Sequence, residues 1–163
     1  MGKLQVRLAE PGDLPVILEV YQYARDFMAR QGNAGQWGMN YPPAEVIEAD
    51  IAGENLYVIT KDGAICGVFA FIPGDDPTYA YIEGSCSSDA RYGAIHRVAG
   101  NGTTKGIFPA CVAFCEEKCR YLRIDTHEKN LVMQHQILNQ GFSYCGIIYT
   151  HDSSPRMAFD RIK

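Results

Sequence analysis

The sequence predicts an α/β (α+β) fold in three layers: a twisted, mixed but mostly antiparallel sheet with a parallel pair of strands at its centre, flanked by about four helices. Asp62-Gly63 joins two apolar, strand-like runs, and this dipeptide is typical of a tight hairpin turn. A helical segment separates the short strands 94–98 and 121–125, and such a crossover places two strands parallel in one sheet. The other strands follow one another through short connections, which favours antiparallel pairing.

Length and composition limit the class of protein. The 163 residues suffice for one domain, 1–163, with a substantial core, since 47% of them are hydrophobic. The formal net charge of −4, without any basic block, argues against nucleic-acid binding. No run approaches the roughly 20 apolar residues of a membrane span, and the N-terminus lacks the apolar core of a signal peptide. We therefore expect a cytoplasmic protein that does not bind membranes.

The N-terminal half begins with a short strand and two helices. Asp13 is a natural N-cap for the first helix, in which apolar residues recur at spacings of three and four. Pro43 suits the first turn of the second helix, because the N–H that proline lacks has no helical partner there. The elements expected up to residue 93 are a strand at 5–8, helices at 14–31 and 43–52, strands at 56–60, 64–72 and 79–83, and an irregular segment at 84–93.

The C-terminal half contains the crossover unit and a final pair of strands. A strand at 94–98 leads through a loop into a helix at 106–118, and a strand at 121–125 follows. A helix at 130–139 ends before Gly141, which is suited to the left-handed conformation that closes many helices. Strands at 142–150 and 157–162 complete the sheet.

The loop between residues 98 and 106 is the strongest functional signal in the chain. It holds Gly100, Gly102, Lys105 and Gly106, and it opens directly into a helix. Unpaired N–H groups at a helix N-terminus carry partial positive charge, and glycines let a phosphate approach the backbone. Lysine adds a full positive charge. The loop is therefore a candidate phosphate-binding site.

Two nucleotide-binding motifs match this loop poorly. A P-loop needs a lysine followed by a serine or threonine that binds magnesium, whereas Lys105 is followed by Gly106. A dinucleotide-binding loop matches Gly100 and Gly102, but Lys105 occupies its third glycine position. Asp125 also lies too far along the chain to be its ribose-binding acid. A dinucleotide-binding protein stays open as the less favoured alternative.

The six cysteines do not form a metal-binding pattern. Cys111, Cys115 and Cys119 are spaced by four along one predicted helix, but no fourth ligand is apparent near them and the chain has no CxxC pair. We expect reduced thiols that pack as small hydrophobic side chains, and no bound metal.

Three stretches of the chain form a set with a known order. They are the opening segment 7–14, the entry Lys105-Gly106-Ile107 into a helix, and the segment 124–130, whose Asn130 is followed eleven residues later by Gly141-Phe142. Together they resemble the GNAT superfamily of N-acetyltransferases. With the order of elements, the resemblance covers nearly the whole chain. It implies a GNAT-like fold and transfer of an acetyl group from acetyl-CoA to a primary amine of a small molecule or peptide. It leaves a homodimer open.

The resemblance also implies a binding site for coenzyme A. Backbone N–H groups of the loop would hold the pyrophosphate, Asn130 and Gln134 would face the pantetheine arm, and the Val98 N–H would stabilise negative charge on the thioester carbonyl. The residues implied in binding the cofactor are Val98, Thr103, Thr104, Lys105, Gly106, Ile107, Phe108, Asn130 and Gln134.

Two features depart from the family pattern. In the family's loop, an arginine or glutamine and a small residue stand where this chain has Thr103 and Phe108. The tyrosine that commonly reprotonates the departing thiolate is replaced by Ile137. These departures keep a second interpretation open, which is a non-catalytic acyl-CoA sensor with the same fold.

Acetyl transfer to an amine requires a base, because an amine with a pKa of about 10.4 is protonated at neutral pH. His96 and Glu83 are the candidates for this base. Alternation along a strand predicts that His96 shares a face with Val98, two residues later, and histidine titrates near neutral pH. Glu83 ends the preceding predicted strand, where its carboxylate could face the acceptor.

The acceptor pocket is expected beneath the loop between the first two helices, since this loop usually covers the acceptor in the family. Trp37 and Tyr41 lie in that loop, and Tyr81 lies in a later predicted strand. These three aromatic residues are the candidates for contact with the acceptor.

Overall fold

Eight strands form one sheet in the computed structural model, which describes residues 3–38, 40–74, 76–150 and 152–163. The strands are β1 (Leu4–Leu8), β2 (Leu56–Lys61), β3 (Ala64–Pro73), β4 (Glu83–Gly84), β5 (Gly93–Gly100), β6 (Tyr121–Thr126), β7 (Ser143–Tyr149) and β8 (Pro155–Ile162). The helices are α1 (Leu14–Arg30), α2 (Ala44–Ala52), α3 (Ile107–Lys118) and α4 (Leu131–Asn139). The strand order is β1-β2-β3-β5-β6-β8-β7-β4.

The alternation of side chains along the strands divides the core between two faces of the sheet. Val58 and Ile59 are neighbours on β2, and both are fully buried. Ile59 belongs to a cluster that includes residues of α3 and α4, whereas Val58 belongs to a cluster with residues of α1 and α2. The sheet therefore lies between two helical layers. Within the described part of the chain, every helix is too short or too polar to cross a membrane.

The structure confirms the predicted fold class. The sheet is mixed and mostly antiparallel, and β5 with β6 is the parallel pair among the described strands. Four α-helices flank the sheet, as expected.

The predicted strand 79–83 is wrong. Tyr79 lies instead in a single 3-10 turn, Pro77–Tyr79, because the Asp76 side chain caps this turn by accepting a hydrogen bond from Thr78 N at 2.9 Å. The Tyr79 ring is buried among other tyrosines. Only Glu83 and Gly84 form a strand, and it pairs with β7 at the edge of the sheet rather than beside β5.

The parallel pair at the centre of the sheet separates part of the way along. Pairing between β5 and β6 ends at Ile95 and Ile124, although β5 continues to Gly100. The later residues of both strands line a common cavity, so the sheet itself contains an opening.

A bulge in β5 lies at this opening. Val68 of β3 pairs with Ala99 and Ala70 pairs with His96, so two residues of β5 face one residue of β3. Arg97, one of the two, has a φ of 52° in the left-handed region. The prediction that His96 and Val98 share a face is wrong, because the extra residue breaks the alternation. Val98 packs against the core cluster beneath α3, whereas His96 faces the other side of the sheet.

Candidate active site

Two cavities meet at the opening in the sheet. The sheet cavity has a volume of about 630 Å³ and lies over the diverging ends of β5 and β6. The loop cavity has a volume of about 380 Å³ and lies against the glycine-rich loop and the start of α3. Both are lined by Met28, Val98, Asn130 and Met133. A ligand that fills one cavity can therefore reach a ligand in the other at the position of Val98.

The β5 bulge that separates the two cavities is held by a largely buried ion pair. The Arg97 Nε and Nη2 donate to the two carboxylate oxygens of Asp50 at 2.9 and 3.0 Å, and the Tyr21 hydroxyl donates to the Arg97 carbonyl at 2.8 Å. Burial alone would lower the pKa of the Arg97 guanidinium, but the Asp50 charge raises it above its ordinary value. Arg97 is therefore a fixed cation whose charge is already matched.

The loop cavity presents the main-chain N–H groups at the start of α3. Gly106 is the N-cap of α3 with a φ of 84°, and no side chain caps the helix. Asn101 holds the loop by accepting hydrogen bonds from Thr103 N at 3.1 Å and from Thr103 Oγ1 at 2.6 Å. Lys105 is exposed on the wall of the cavity. The uncapped N–H groups of α3 and this lysine form a surface suited to a phosphate.

The sheet cavity is built from side chains, and His96 lies between two carboxylates. His96 Nε2 lies 2.6 Å from Asp76 Oδ2, and His96 Nδ1 lies 4.0 Å from Asp125 Oδ1. The other oxygen of Asp76 accepts from the Thr78 N–H and hydroxyl at 2.9 and 2.7 Å. Against the effect of burial, the hydrogen bonds from His96 and Thr78 hold the pKa of the Asp76 carboxyl well below its ordinary value.

Asp125 has fewer hydrogen-bond donors around it than Asp76, and its pKa is shifted in the opposite direction. It accepts one long hydrogen bond, from the Tyr79 hydroxyl at 3.3 Å. Burial raises the pKa of the Asp125 carboxyl, although the nearby His96 and Arg156 oppose this. A half-buried carboxylate with one long hydrogen bond, beside an imidazole, is a suitable place for a cationic group of a ligand.

The loop between α1 and α2 closes the sheet cavity through Gln36. The Gln36 side-chain oxygen accepts from Asn130 Nδ2 at 3.1 Å, and the Gln36 carbonyl accepts from Arg156 Nη2 at 3.0 Å. Asn130 also caps α4 by accepting from Met133 N at 3.0 Å. The cover of the cavity is thus attached to β8 and to the start of α4.

Most residues predicted from the sequence lie in one of the two cavities. The loop cavity is lined by Val98, Thr104, Lys105, Gly106, Ile107, Phe108 and Asn130. The sheet cavity is lined by Trp37, Tyr41, His96, Val98 and Asn130.

Four predicted site residues lie outside both cavities. The Thr103 side chain turns towards Asn101, and Gln134 donates to the carbonyl of Glu128 at 2.8 Å. Glu83 is exposed and accepts from the Tyr149 hydroxyl at 2.7 Å. Tyr81 is 63% exposed and stacks on Tyr149, with ring centroids 6.4 Å apart.

Sequence reasoning did not assign four residues that shape the sheet cavity to this site, namely Gln36, Asp76, Asp125 and Arg156. Asp76 belongs to a loop with several turn-forming residues, and Arg156 precedes the predicted last strand. A polar residue at the end of a strand was the available signal, but many such residues are simply solvated.

One group of possible metal ligands occurs among the described residues, and it lies away from both cavities. The ligand atoms of Cys86, Cys145 and Asp160 lie within 4.8 Å of one another. The Asp160 oxygens already accept hydrogen bonds from the N–H and hydroxyl of Ser87 and from the Tyr121 hydroxyl. This carboxylate is therefore occupied in holding the segment before β5.

The chain is similar along nearly its whole length to proteins of known structure. An acetyltransferase of the GNAT family from Streptococcus agalactiae is 32% identical, over 98% of this chain and 95% of that chain, with a TM-score of 0.90. A GNAT-family acetyltransferase from Listeria monocytogenes is 17% identical, over 98% and 95% of the two chains, with a TM-score of 0.72.

A further similar structure is that of yncA from Salmonella typhimurium with its cofactor acetyl-CoA. It is 12% identical over 98% of this chain and 93% of that chain, with a TM-score of 0.64. At identities of 17% and 12%, the likeness shows the fold alone. No protein-family model matches the chain, and no curated protein matches it.

Proposed function

Because the chain belongs to the GNAT family of acetyltransferases, we propose that it transfers the acetyl group of acetyl-CoA directly to a primary amine. One observation supports this most: a cavity suited to phosphate and a cavity with a histidine between two carboxylates meet at Val98. Direct transfer needs two ligands to meet at one point, and this geometry provides that point.

The loop cavity fits the cofactor. The backbone N–H groups at the start of α3 are uncapped, and Gly106 leaves their approach free of a side chain. Lys105 adds positive charge, and Asn130 lies where the two cavities join. When bound, acetyl-CoA supplies an acetyl thioester. We propose that residues 103–108 hold its pyrophosphate and that Asn130 contacts its pantetheine arm.

His96 is the proposed general base. An amine with a pKa of about 10.4 must lose a proton before it attacks, which costs about 4–5 kcal/mol at pH 7. If Asp76 accepts the Nε2 proton, the lone pair of the neutral ring lies on Nδ1, which faces Asp125. Because Nδ1 and Asp125 Oδ1 are 4.0 Å apart, one ammonium group beside them is within donating reach of both. Glu83 is not favoured, because it lies outside the cavity.

Two further groups complete the proposed reaction. We propose that the Val98 N–H stabilises negative charge on the thioester carbonyl, and the position of Val98 in the lining of both cavities supports this. Ile137, at the position of the family's tyrosine, is fully buried in the core and cannot supply a proton. We propose that water reprotonates the thiolate.

The test combines cofactor binding with turnover. Acetyl-CoA at about 100 times its Kd should stabilise the protein by about 2.7 kcal/mol, which a thermal-shift titration detects. Acetylated product from a broad amine panel should then be measured by chromatography, because six cysteines would react with thiol reagents. No stabilisation at millimolar coenzyme A contradicts the cofactor assignment. Binding without transfer to any amine favours the acyl-CoA sensor, which the loss of the tyrosine at Ile137 also favours.

A further inference from the structure

Arg156 is a buried cation on the wall of the sheet cavity. Arg156 is 8% exposed, and it lies near Asp125 on the side of the sheet that His96 faces. Its hydrogen-bond partners are the Ser154 hydroxyl and the carbonyls of Pro155 and Gln36. All three partners are neutral. Among the described residues, no carboxylate forms an ion pair with this guanidinium.

The hydrogen bonds of Arg156 leave the Nε–Nη2 edge of its guanidinium with a single described acceptor, the Gln36 carbonyl on Nη2. Its Nη1 makes two of the three hydrogen bonds and its Nη2 makes one. No described residue accepts from Nε–H or from the second N–H of Nη2. Nε and Nη2 lie on the same edge of the planar group, and two parallel N–H donors on one edge match the two oxygens of a carboxylate.

The charges around Arg156 do not replace such a partner. Asp125 and Asp152 line the same cavity and attract the cation through their charge. Burial has the larger effect and lowers the pKa of the guanidinium below its ordinary value. By contrast, Arg97 in the same cavity wall donates to the two Asp50 oxygens through both atoms of its Nε–Nη2 edge. A buried guanidinium whose Nε–H has no described acceptor and whose charge has no paired carboxylate is stabilised by an anionic ligand group.

We propose that the acceptor is an amino acid or a closely related molecule, whose carboxylate binds Arg156 while its amine lies between His96 and Asp125. This proposal rests on the proposed function and names its substrate class. The nearby acids, Asp76, Asp125 and Asp152, favour one carboxylate over a doubly charged phosphate, since they repel negative charge. Asp125, which accepts a single long hydrogen bond from Tyr79, also provides a site for the ammonium group of the same molecule.

The experiment is a panel of matched acceptors, each in four forms: the free amino acid, its amide, its decarboxylated amine and its aminophosphonate. Acetyl-CoA binding is first established by thermal shift, and N-acetylated product is then measured by chromatography. We expect kcat/KM for the best amino acid to exceed that of its amide and its amine by about tenfold or more. Equal or faster acetylation of the amides and amines overturns the proposal while leaving the acetyltransferase function intact.

The remaining outcomes are also decisive. A preference for the aminophosphonates overturns the choice of a carboxylate. Acetyl-CoA binding without acetylation of any amino acid also contradicts the proposal, and a failure of acetyl-CoA to bind contradicts the proposed function itself.

Two variants of Arg156 test whether its guanidinium causes the preference for the free amino acid. Arg156→Gln should abolish the preference for the free amino acid, and Arg156→Lys should keep only part of it because lysine cannot form the two-donor edge. Acetyl-CoA binding should be unchanged in both, which also shows that they fold. Arg161→Gln is the control, since Arg161 lies at the other end of β8, pairs with Glu116 at 3.0 Å and lines neither cavity. An undiminished preference in Arg156→Gln contradicts the assignment.

Discussion

The two cavities offer different groups to a ligand: main-chain N–H groups in the loop cavity and charged side chains in the sheet cavity. The loop cavity takes most of its wall from one continuous segment, 98–108, and offers main-chain N–H groups at the start of α3. The sheet cavity gathers charged side chains from separate segments: Asp76 after β3, His96 on β5, Asp125 on β6 and Arg156 on β8. Binding in the first should depend little on side-chain identity, whereas binding and chemistry in the second should depend on each of these side chains.

This difference explains how the loop tolerates its unusual residues. Thr103 and Phe108 replace the residues that the family pattern has there, but Thr103 bonds Asn101 and Phe108 is buried in the core. Neither change removes an N–H group at the start of α3. Substitutions in one cavity, or in the bulge between the two, should therefore have separable effects.

The largest effect is expected for His96→Ala in the sheet cavity. Loss of a general base should lower kcat by about 100-fold to 10,000-fold, while the Kd of acetyl-CoA changes less than about twofold. His135→Ala is the control, since His135 is exposed on α4 and lines neither cavity. An unchanged kcat and pH–rate profile in His96→Ala rules out the role of base.

The bulge between the cavities should be the most sensitive site for stability. Asp50→Asn leaves the buried Arg97 guanidinium without its matching charge, and we expect a loss of about 3–5 kcal/mol in the free energy of unfolding. Urea unfolding measures this, and Glu48→Gln, exposed on the same helix, should change it by less than about 0.5 kcal/mol. Since both cavities share Val98, acetyl-CoA affinity and kcat should fall together. A urea midpoint equal to that of the wild type contradicts this role of Asp50.

A substitution at the N-cap of α3 should affect only the loop cavity. Gly106→Asp places a carboxylate where we propose a pyrophosphate, so acetyl-CoA should bind about 100-fold more weakly, equivalent to about 2.7 kcal/mol. Gly63→Asp is matched in backbone strain, because Gly63 has a φ of 83° in the β2–β3 turn, and Gly106 has a φ of 84°. Titration calorimetry should show normal affinity for Gly63→Asp. Normal affinity for Gly106→Asp would mean that the phosphates bind elsewhere.

The smallest effect is a pH-dependent loss of stability in Asp76→Asn. At pH 7 this variant should lose about 1.5–3 kcal/mol, since Asp76 accepts hydrogen bonds from His96 and Thr78 as a charged group. Because its pKa is lowered in the native state, this contribution is complete above the unfolded pKa of about 3.9 and is lost as pH falls towards the native value.

Urea unfolding at pH 7 and pH 3 measures this difference. The gap between the wild type and Asp76→Asn should narrow at pH 3, whereas Asp62→Asn, in the exposed β2–β3 turn, should show no comparable change. A gap that widens at pH 3 contradicts the state assigned to Asp76.

The same contrast between the cavities explains which parts the sequence could predict. The β5–loop–α3 unit is contiguous, so its glycines, its apolar strand and its helix start are all local signals. The charged side chains of the sheet cavity meet only because the sheet order is β5-β6-β8, and no local pattern specifies that order. His96 was found by its chemistry, whereas Asp76 and Arg156 resembled ordinary loop and surface residues.

Two errors of prediction have local physical causes. The strand expected at 79–83 fails because Asp76 caps a 3-10 turn and Tyr79 is buried in the tyrosine cluster. The prediction that His96 and Val98 share a face is wrong because a bulge in β5 breaks the alternation between them. This bulge is held by Asp50, which lies 47 residues before Arg97. Such distant support cannot be recognised from the strand pattern.

The central claim is that an acetyl group passes directly from the loop cavity to an amine in the sheet cavity. The most direct test is a single-turnover experiment with protein in excess over acetyl-CoA labelled in its acetyl group, mixed with amino acids and their decarboxylated amines. We predict that the label moves to a small-molecule amine while the protein, with its six cysteines, stays unlabelled. Label that stays on coenzyme A, or that is recovered on a cysteine of the protein, contradicts direct transfer.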